Sequence, residues 1–211
     1  MSTFYRRRGK RLLDILISVT ALGVTAPIQV VVAGIVWKVD GRPILFRQTR
    51  PGVKGRPFTL MKFRTMRELS SDETLDDSDE VRPTRVGRWL RSWSLDELPE
   101  FINVLKGDMS IVGPRPLLLQ YLPKYSQEQM RRHDVRPGIT GLAQVNGRNL
   151  VPWEQRFITD VWYVDHLSLR LDAEILLRTV TAVFRREGVT PENSATMPPF
   201  NEGDEQVSHQ R

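Results

Sequence analysis

Two carboxylates side by side, Asp96 and Glu97, open an apolar run in the stretch "SLDELPEFINVLKGDMSIVGPRP", which closes on Arg115 held between two prolines. Such a pair can cap a helix or take part in catalysis, and capping is far the commoner role. The capping role is legible in the spacing. Leu98, Phe101, Ile102 and Leu105 recur at helical intervals and predict a short amphipathic helix that begins near Asp96. Ser94 and Glu97 match a capping box, but that register would place Pro99 in the second turn. Asp96 as N-cap keeps Pro99 in the first turn, where backbone N–H groups lack helical partners anyway.

Cations that could meet an anionic substrate lie elsewhere in the chain. In "FTLMKFRTM" a predicted strand puts Lys62 and Arg64 on one face, either as a charged edge guard or as a phosphate-facing pair. Arg136 and Arg148 stand beside "RPGITG" and "NGRN", glycine-punctuated turns whose backbone could approach a ligand closely. Neither turn contains a Walker-type phosphate loop. In "WEQRFITDVWYV", Trp153, Phe157, Val161 and Val164 share one helical face, and Asp160 follows Arg156 by four residues and reads first as a surface helix pair. The absence of cysteine excludes disulfides, zinc-thiolate centres and thiol nucleophiles. His133, His166 and His209 have no metal-ligand spacing.

The elements that must position these groups divide the 211 residues into four parts. Residues 1–11 are basic. Residues 12–38 include the uncharged run "ILISVTALGVTAPIQVVVAGIVW", long enough to be a transmembrane candidate. Pro27 near its middle predicts two arms of about 18 Å each. Arg6, Arg7, Arg8, Lys10 and Arg11 precede the run and Lys38 and Arg42 follow it, so both ends favour the cytoplasmic side. The expectation is a re-entrant hairpin that bends at Pro27, with Thr25, Gln29 or Ser18 supplying partners to freed backbone groups. Residues 39–187 form the remaining compact domain, with a β-hairpin from "ILFRQ" and "FTLMKFRTM" and several amphipathic helices. Within it the acidic run from about 70 to 81 reads as a solvated, mobile loop. The last amphipathic helix carries Leu176, Val180, Val183 and Phe184 on its apolar face, with Arg178, Arg185 and Arg186 able to meet lipid phosphates. Residues 188–211 read as a disordered tail. The fold class expected is α+β and mainly helical, an N-terminal membrane helix-break-helix joined to a compact interfacial domain.

Lys and Arg exceed Asp and Glu by 31 to 25, which suits anionic partners such as phosphorylated small molecules or lipid head groups. The basic residues are dispersed among the anchor and the loops and form no known nucleic-acid recognition motif, so no nucleic-acid partner is expected. A non-catalytic membrane-surface scaffold is the other alternative, disfavoured by the intact carboxylate pair and its cations.

Taken in order, "KRLLD", the Pro-broken apolar run, "KFRTM", "SLDELPEFINVLKGDMSIVGPRPL", "RPGITGLAQVNGRN" and "FITDVWYVDHLSLRLD" resemble the bacterial sugar transferases, the monotopic phosphoglycosyl transferases, over roughly residues 10–187. The likeness is to the minimal catalytic form of that family. It implies transfer of a sugar 1-phosphate from a UDP-sugar to a polyprenyl phosphate at the cytoplasmic face of the bacterial inner membrane, with release of UMP. It further implies Asp96 as nucleophile with Glu97 as its partner, Mg²⁺ bound at Asp96, and Lys62, Arg115, Arg148 and Asp160 at the substrate. Membrane lipids are the remaining partners implied. Two departures from the family pattern stand out. Ala26 precedes Pro27 where serine is frequent, and Glu100 stands where glutamine is usual, a change expected to matter little. The sugar, the pathway, the lipid chain length and the oligomeric state are not encoded legibly.

Overall fold

The computed structural model describes residues 4–66, 84–147, 151–185 and Phe200. Among these residues the chain is mainly helical, with two small two-stranded sheets. A π-helical segment, Tyr5–Gly9, runs into α1, Lys10–Asp40. The hairpin strands β1, Leu45–Pro51, and β2, Pro57–Phe63, follow. Then come α2, Arg85–Ser92, α3, Glu100–Lys106, β3, Ser110–Val112, and the single-turn helix α4, Gln127–Met130. The strand β4, Gly138–Thr140, the short α5, Leu142–Val145, α6, Trp153–His166, and α7, Leu169–Arg185, complete the described chain. The acidic run expected as a mobile loop, Arg148 and Arg186 lie outside the described residues.

The helix α1 is apolar on all sides, which in water would be costly, and it is long and apolar enough to cross a membrane by length and composition. Its 31 residues amount to about 46 Å of helix at 1.5 Å per residue. The helical assignment continues through Pro27. The two separate arms expected from the sequence are therefore not distinguished here, because a proline removes one backbone donor without obliging the flanking turns to unwind. Near it, Thr25 donates to the Ala21 carbonyl at 2.6 Å and the Gln29 amide donates to Thr25 at 3.0 Å.

Both ends of α1 rest on the same body. At the first turns, Arg11 donates to the carbonyls of Val104 and Leu105 at the end of α3, at 2.6 and 2.9 Å. One turn on, Asp14 accepts from the Ser110 hydroxyl and the Ile111 N–H of β3. At the other end Val32 and Val36 are buried with Phe63 and Leu90. Between these contacts Val19, Val24, Ile28, Val30 and Val31 are exposed.

In the central core Leu60, Val104, Met109, Ile111, Val112, Tyr163, Leu167 and Ile175 pack β2, α3 and β3 against α6 and α7. An aromatic cluster of Tyr121, Tyr125, Trp153, Phe157 and Phe200 gathers at the N-terminal half of α6. Phe200, in the segment read as a disordered tail, is buried among these rings, and its carbonyl accepts from Lys124 at 3.1 Å. The four residues expected on the apolar face of α6 are all buried. On α7 Leu176 of the expected stripe packs partly buried against the core, but the fully buried residues are Asp172 and Ile175, and Val180 is exposed. The carboxylate of Asp172 draws the helix inward, because it accepts from Tyr5, Lys10 and Tyr163.

Gly138 of "RPGITG" lies where the backbone of β4 meets that of β3. In the parallel pair β3 and β4, Ser110 stands opposite Gly138 and Val112 opposite Thr140. A Cβ on Gly113 would come 2.4 Å from the Arg136 carbonyl, and one on Gly138 would come 2.1 Å from the Gly113 nitrogen. These glycines let two backbones touch, and the contact fixes the root of the "GPRP" loop that carries Arg115.

Candidate active site

The helix containing the carboxylate pair starts later than predicted. Leu95–Glu97 form a single 3-10 turn and α3 begins at Glu100, with Pro99 at its N-cap position. Ser94, with φ of 55°, takes a left-handed conformation that turns the chain sharply from the end of α2 into this turn. Asp96 consequently caps nothing. Ile102 N–H donates to the Pro99 carbonyl and Phe101 N–H to that of Leu98, so backbone carbonyls do the capping. Asp96 is only 7 % exposed, yet it accepts no hydrogen bond from any described residue.

Glu97 has the opposite character. Its Oε1 accepts from Lys62 Nζ at 2.7 Å and from Arg115 Nη2 at 3.1 Å. Lys62 also lies 3.0 Å from Oε1 of Glu100, which is buried. A residue the sequence did not signal holds Lys62 in place. Asn103, fully buried on α3, accepts from the Met61 N–H at 3.1 Å and donates to the Thr59 carbonyl at 2.7 Å. This bidentate grip on the β2 backbone sets the strand, and with it Lys62, against the two glutamates. A polar residue within an otherwise apolar helical face was the available clue.

These surroundings divide the three acids. Burial raises Asp96 above the usual carboxylate range and the charge of Glu97 adds to the rise, with Lys62, Arg91 and Arg115 opposing. The ionisation of Asp96 is thus a contest between burial and nearby cations. Burial acts on Glu97 in the same sense, but Lys62 and Arg115 outweigh it and hold this carboxyl at about 2. Glu100 is pushed up to about 7, by burial first and by Glu97 in addition, against the pull of Lys62.

Of the residues assigned to the site from the sequence, Asp96, Glu97, Lys62 and Arg115 come together. Arg64 does not join them, since its guanidinium donates to the Arg42 carbonyl at 3.1 Å. Asp160 lies one layer below. It is 3 % exposed and pairs with buried Arg132, whose Nη2 donates both to Asp160 at 2.7 Å and to the Arg115 carbonyl at 2.8 Å. The surface pair suggested by the sequence is therefore a buried one with a different arginine, brought from the turn Arg131–Asp134. Arg148 lies outside the described residues, and so does any contact it makes.

Among the described residues no three acids or histidines converge as a closed metal cage. Mg²⁺ does not require one, since it commonly takes one or two carboxylates together with waters and substrate phosphates. The oxygens of Asp96 and Oε2 of Glu97, unengaged by described side chains, fit that open kind of site.

Comparison with known proteins gives a consistent result. A family model described as bacterial sugar transferase matches residues 5–186. A protein named uncharacterized sugar transferase EpsL, from Bacillus subtilis (strain 168), is 49 % identical over 191 residues, covering 90 % of this chain and 95 % of its own length. A UDP-glucose:undecaprenyl-phosphate glucose-1-phosphate transferase from Klebsiella pneumoniae is 42 % identical over 81 % of this chain, but the match spans only 39 % of that longer relative. A transferase of the same name from Caulobacter vibrioides is 41 % identical over 82 % of this chain and 69 % of its own.

Proposed function

This chain belongs to the bacterial sugar transferase family, and from that premise we propose that it is a membrane-bound phosphotransferase carrying a sugar 1-phosphate from a UDP-sugar to undecaprenyl phosphate, the step that initiates a polysaccharide. The names of its relatives support this donor and acceptor, with UDP-glucose the first donor to test. A relative named for exopolysaccharide production supports the destination.

The observation that carries the chemistry is the contrast between Asp96 and Glu97. Glu97 is locked to two cations and held at about 2, so it neither attacks readily nor takes up a proton at neutral pH. Asp96, beside it, has oxygens that no described side chain engages. In the proposed sequence, an Asp96 oxygen attacks the β-phosphorus of the UDP-sugar, the bond from that phosphorus to UMP breaks, and UMP leaves with the electron pair. The resulting acyl phosphate carries the sugar. An oxygen of undecaprenyl phosphate then attacks the same phosphorus, the bond to Asp96 breaks, and the carboxylate is regenerated. Lys62 and Arg115 stand where they can offset the negative charge of the diphosphate beside the carboxylates. Mg²⁺, held by Asp96 with Glu97 alongside, would supply further neutralisation of phosphate charge.

The membrane arrangement belongs to the same proposal. A re-entrant α1, bent near Pro27 and returning to the cytoplasmic face, is supported by the docking of both its ends on one body and by the exposed apolar residues between them. That seat would hold Asp96 at the level of a lipid phosphate. Arg148 is retained as a substrate-binding candidate.

The test is UMP release by protein in nanodiscs supplied with Mg²⁺, undecaprenyl phosphate and UDP-sugars, for the native chain and Asp96→Asn. Release from one or a few donors that vanishes in the variant is the expected result, and trapping of a phosphosugar on Asp96 by mass spectrometry would establish the covalent step. Release surviving in Asp96→Asn would remove the nucleophile assignment.

A further inference from the structure

Arg50 is half-buried on the hairpin, in an unusual position. It stands near the end of β1, opposite Phe58 of β2, while Lys62 of β2 stands opposite Phe46. Residues facing each other across an antiparallel pair lie on one side of the sheet, as do residues two apart in a strand. Arg50 and Lys62 therefore share a face of the hairpin. Glu100 and Arg115 lie within electrostatic reach of both cations.

Unlike Lys62, Arg50 is paired with no carboxylate among the described residues, and Glu100 acts on it only through space. Its Nη2 donates to the neutral side-chain oxygen of Gln48 at 2.5 Å, and its Nε is buried without an acceptor among the described residues. Burial disfavours its charge, and the nearby charge of Arg115 disfavours it further. An arginine buried in such surroundings without a carboxylate bonded to it among the described residues is costly to the folded protein, and sites that bind anions are where such a cost recurs. Arg132, by contrast, is compensated by Asp160.

We propose that Arg50 is a further substrate-binding residue, its guanidinium completing with Lys62 and Arg115 a basic wall for a phosphate group entering beside Asp96. This rests on the phosphoglycosyl transfer reading, but it can be tested without turnover. Two anions carry the required chemistry, the phosphate of the uridine nucleotide and that of the prenyl acceptor.

Binding of UMP and of farnesyl phosphate would be measured by calorimetry on the full chain in nanodiscs, for the native protein and Arg50→Gln, with the thermal midpoint of each recorded. The expected result is roughly a tenfold loss of affinity for one of the two anions, the size of a lost charge-assisted hydrogen bond, with the ligand-free midpoint unchanged or raised. Loss confined to UMP assigns Arg50 to the donor, and loss confined to farnesyl phosphate assigns it to the acceptor. Unchanged affinity for both anions overturns the proposal, whatever the midpoint does. Should Arg50→Gln fail to fold, Arg50→Lys keeps the charge and removes the fork. A loss of about threefold is then expected, and native affinity for both anions is the overturning result. Failure of the native protein to release UMP from any UDP-sugar would count against the transfer reading and leave these binding outcomes to judge Arg50 separately.

Discussion

The guanidinium of Arg132 reaches one oxygen of Asp160 twice, from Nε at 3.1 Å and from Nη2 at 2.7 Å, in a place where both residues are almost wholly withdrawn from water. The same Nη2 holds the Arg115 carbonyl. Asp160 thus bears on the site through the arginine that positions another arginine. Removing one member of a buried pair leaves an uncompensated charge at a cost of roughly 3–5 kcal/mol. Asp160→Leu is expected to lower the thermal midpoint severely and to reduce kcat/KM. The double variant Arg132→Met with Asp160→Leu is expected to recover most of the midpoint, because no charge is left stranded, while activity stays low because the Arg115 carbonyl has lost its donor. Recovery of both would show that Arg115 does not depend on Arg132.

Glu100 gives this chain a titrating group that the glutamine usual at its position would not supply. Its carboxyl is held at about 7, so ionisation near neutral pH adds a negative charge beside Lys62, against an incoming diphosphate. The KM for the UDP-sugar is expected to rise as the pH passes from 6 to 8, and Glu100→Gln is expected to flatten that rise. A slope that persists in the variant would assign it to another group. The sign for stability follows from the same shift. A carboxyl raised in the folded state is bound to its proton there and not in the unfolded chain, so its contribution to stability falls as pH rises from the ordinary glutamate value to about 7. Glu97, held at about 2, acts in the opposite sense: its stabilisation is present above the ordinary value and is lost as pH falls toward 2.

Asn103 makes two hydrogen bonds to the β2 backbone from a fully buried position. Asn103→Leu is nearly isosteric but leaves the Met61 N–H and the Thr59 carbonyl without this partner, at about 1–3 kcal/mol for each buried group. The thermal midpoint should fall, and donor KM should rise because Lys62 is no longer set against Glu97. A loss of stability with native KM would confine Asn103 to the core.

The absence of cysteine makes the anchor open to direct mapping. Arg8 and Lys38, exposed on either side of the apolar run, can be changed singly to cysteine and treated with a membrane-impermeant thiol reagent in inverted vesicles and in intact spheroplasts. Labelling of both positions from the cytoplasmic side only is the outcome expected of a re-entrant α1. Labelling from opposite sides would establish a span.

The charge-free run after the basic segment, the hairpin and the apolar face of α6 around Phe157 were readable from residue type and spacing, and the resemblance supplied the grouping of Asp96, Glu97, Lys62 and Arg115; on α3 the fully buried residues are Glu100, Asn103 and Val104, while the expected Leu98, Phe101, Ile102 and Leu105 are only half-buried. Local rules sufficed there because burial of one face and the reach of neighbouring side chains repeat with the period of the element. What the sequence by itself determined was thus the hairpin, the long apolar helix near the N-terminus and the presence of the helices that follow it. Tertiary structure alone decided which acid is free and which is bound. Asp96 and Glu97 are adjacent and chemically alike, and only the arrival of Lys62 from β2, 35 residues away, and of Arg115 from beyond β3 separates them. The partner of Asp160 was hidden for the same reason: a charge four residues away on its own helix was visible, and one 28 residues away in a different turn was not. A carboxylate's ionisation depends on whatever charge and solvent the folded chain brings within a few ångströms, and that distance has no counterpart along the sequence.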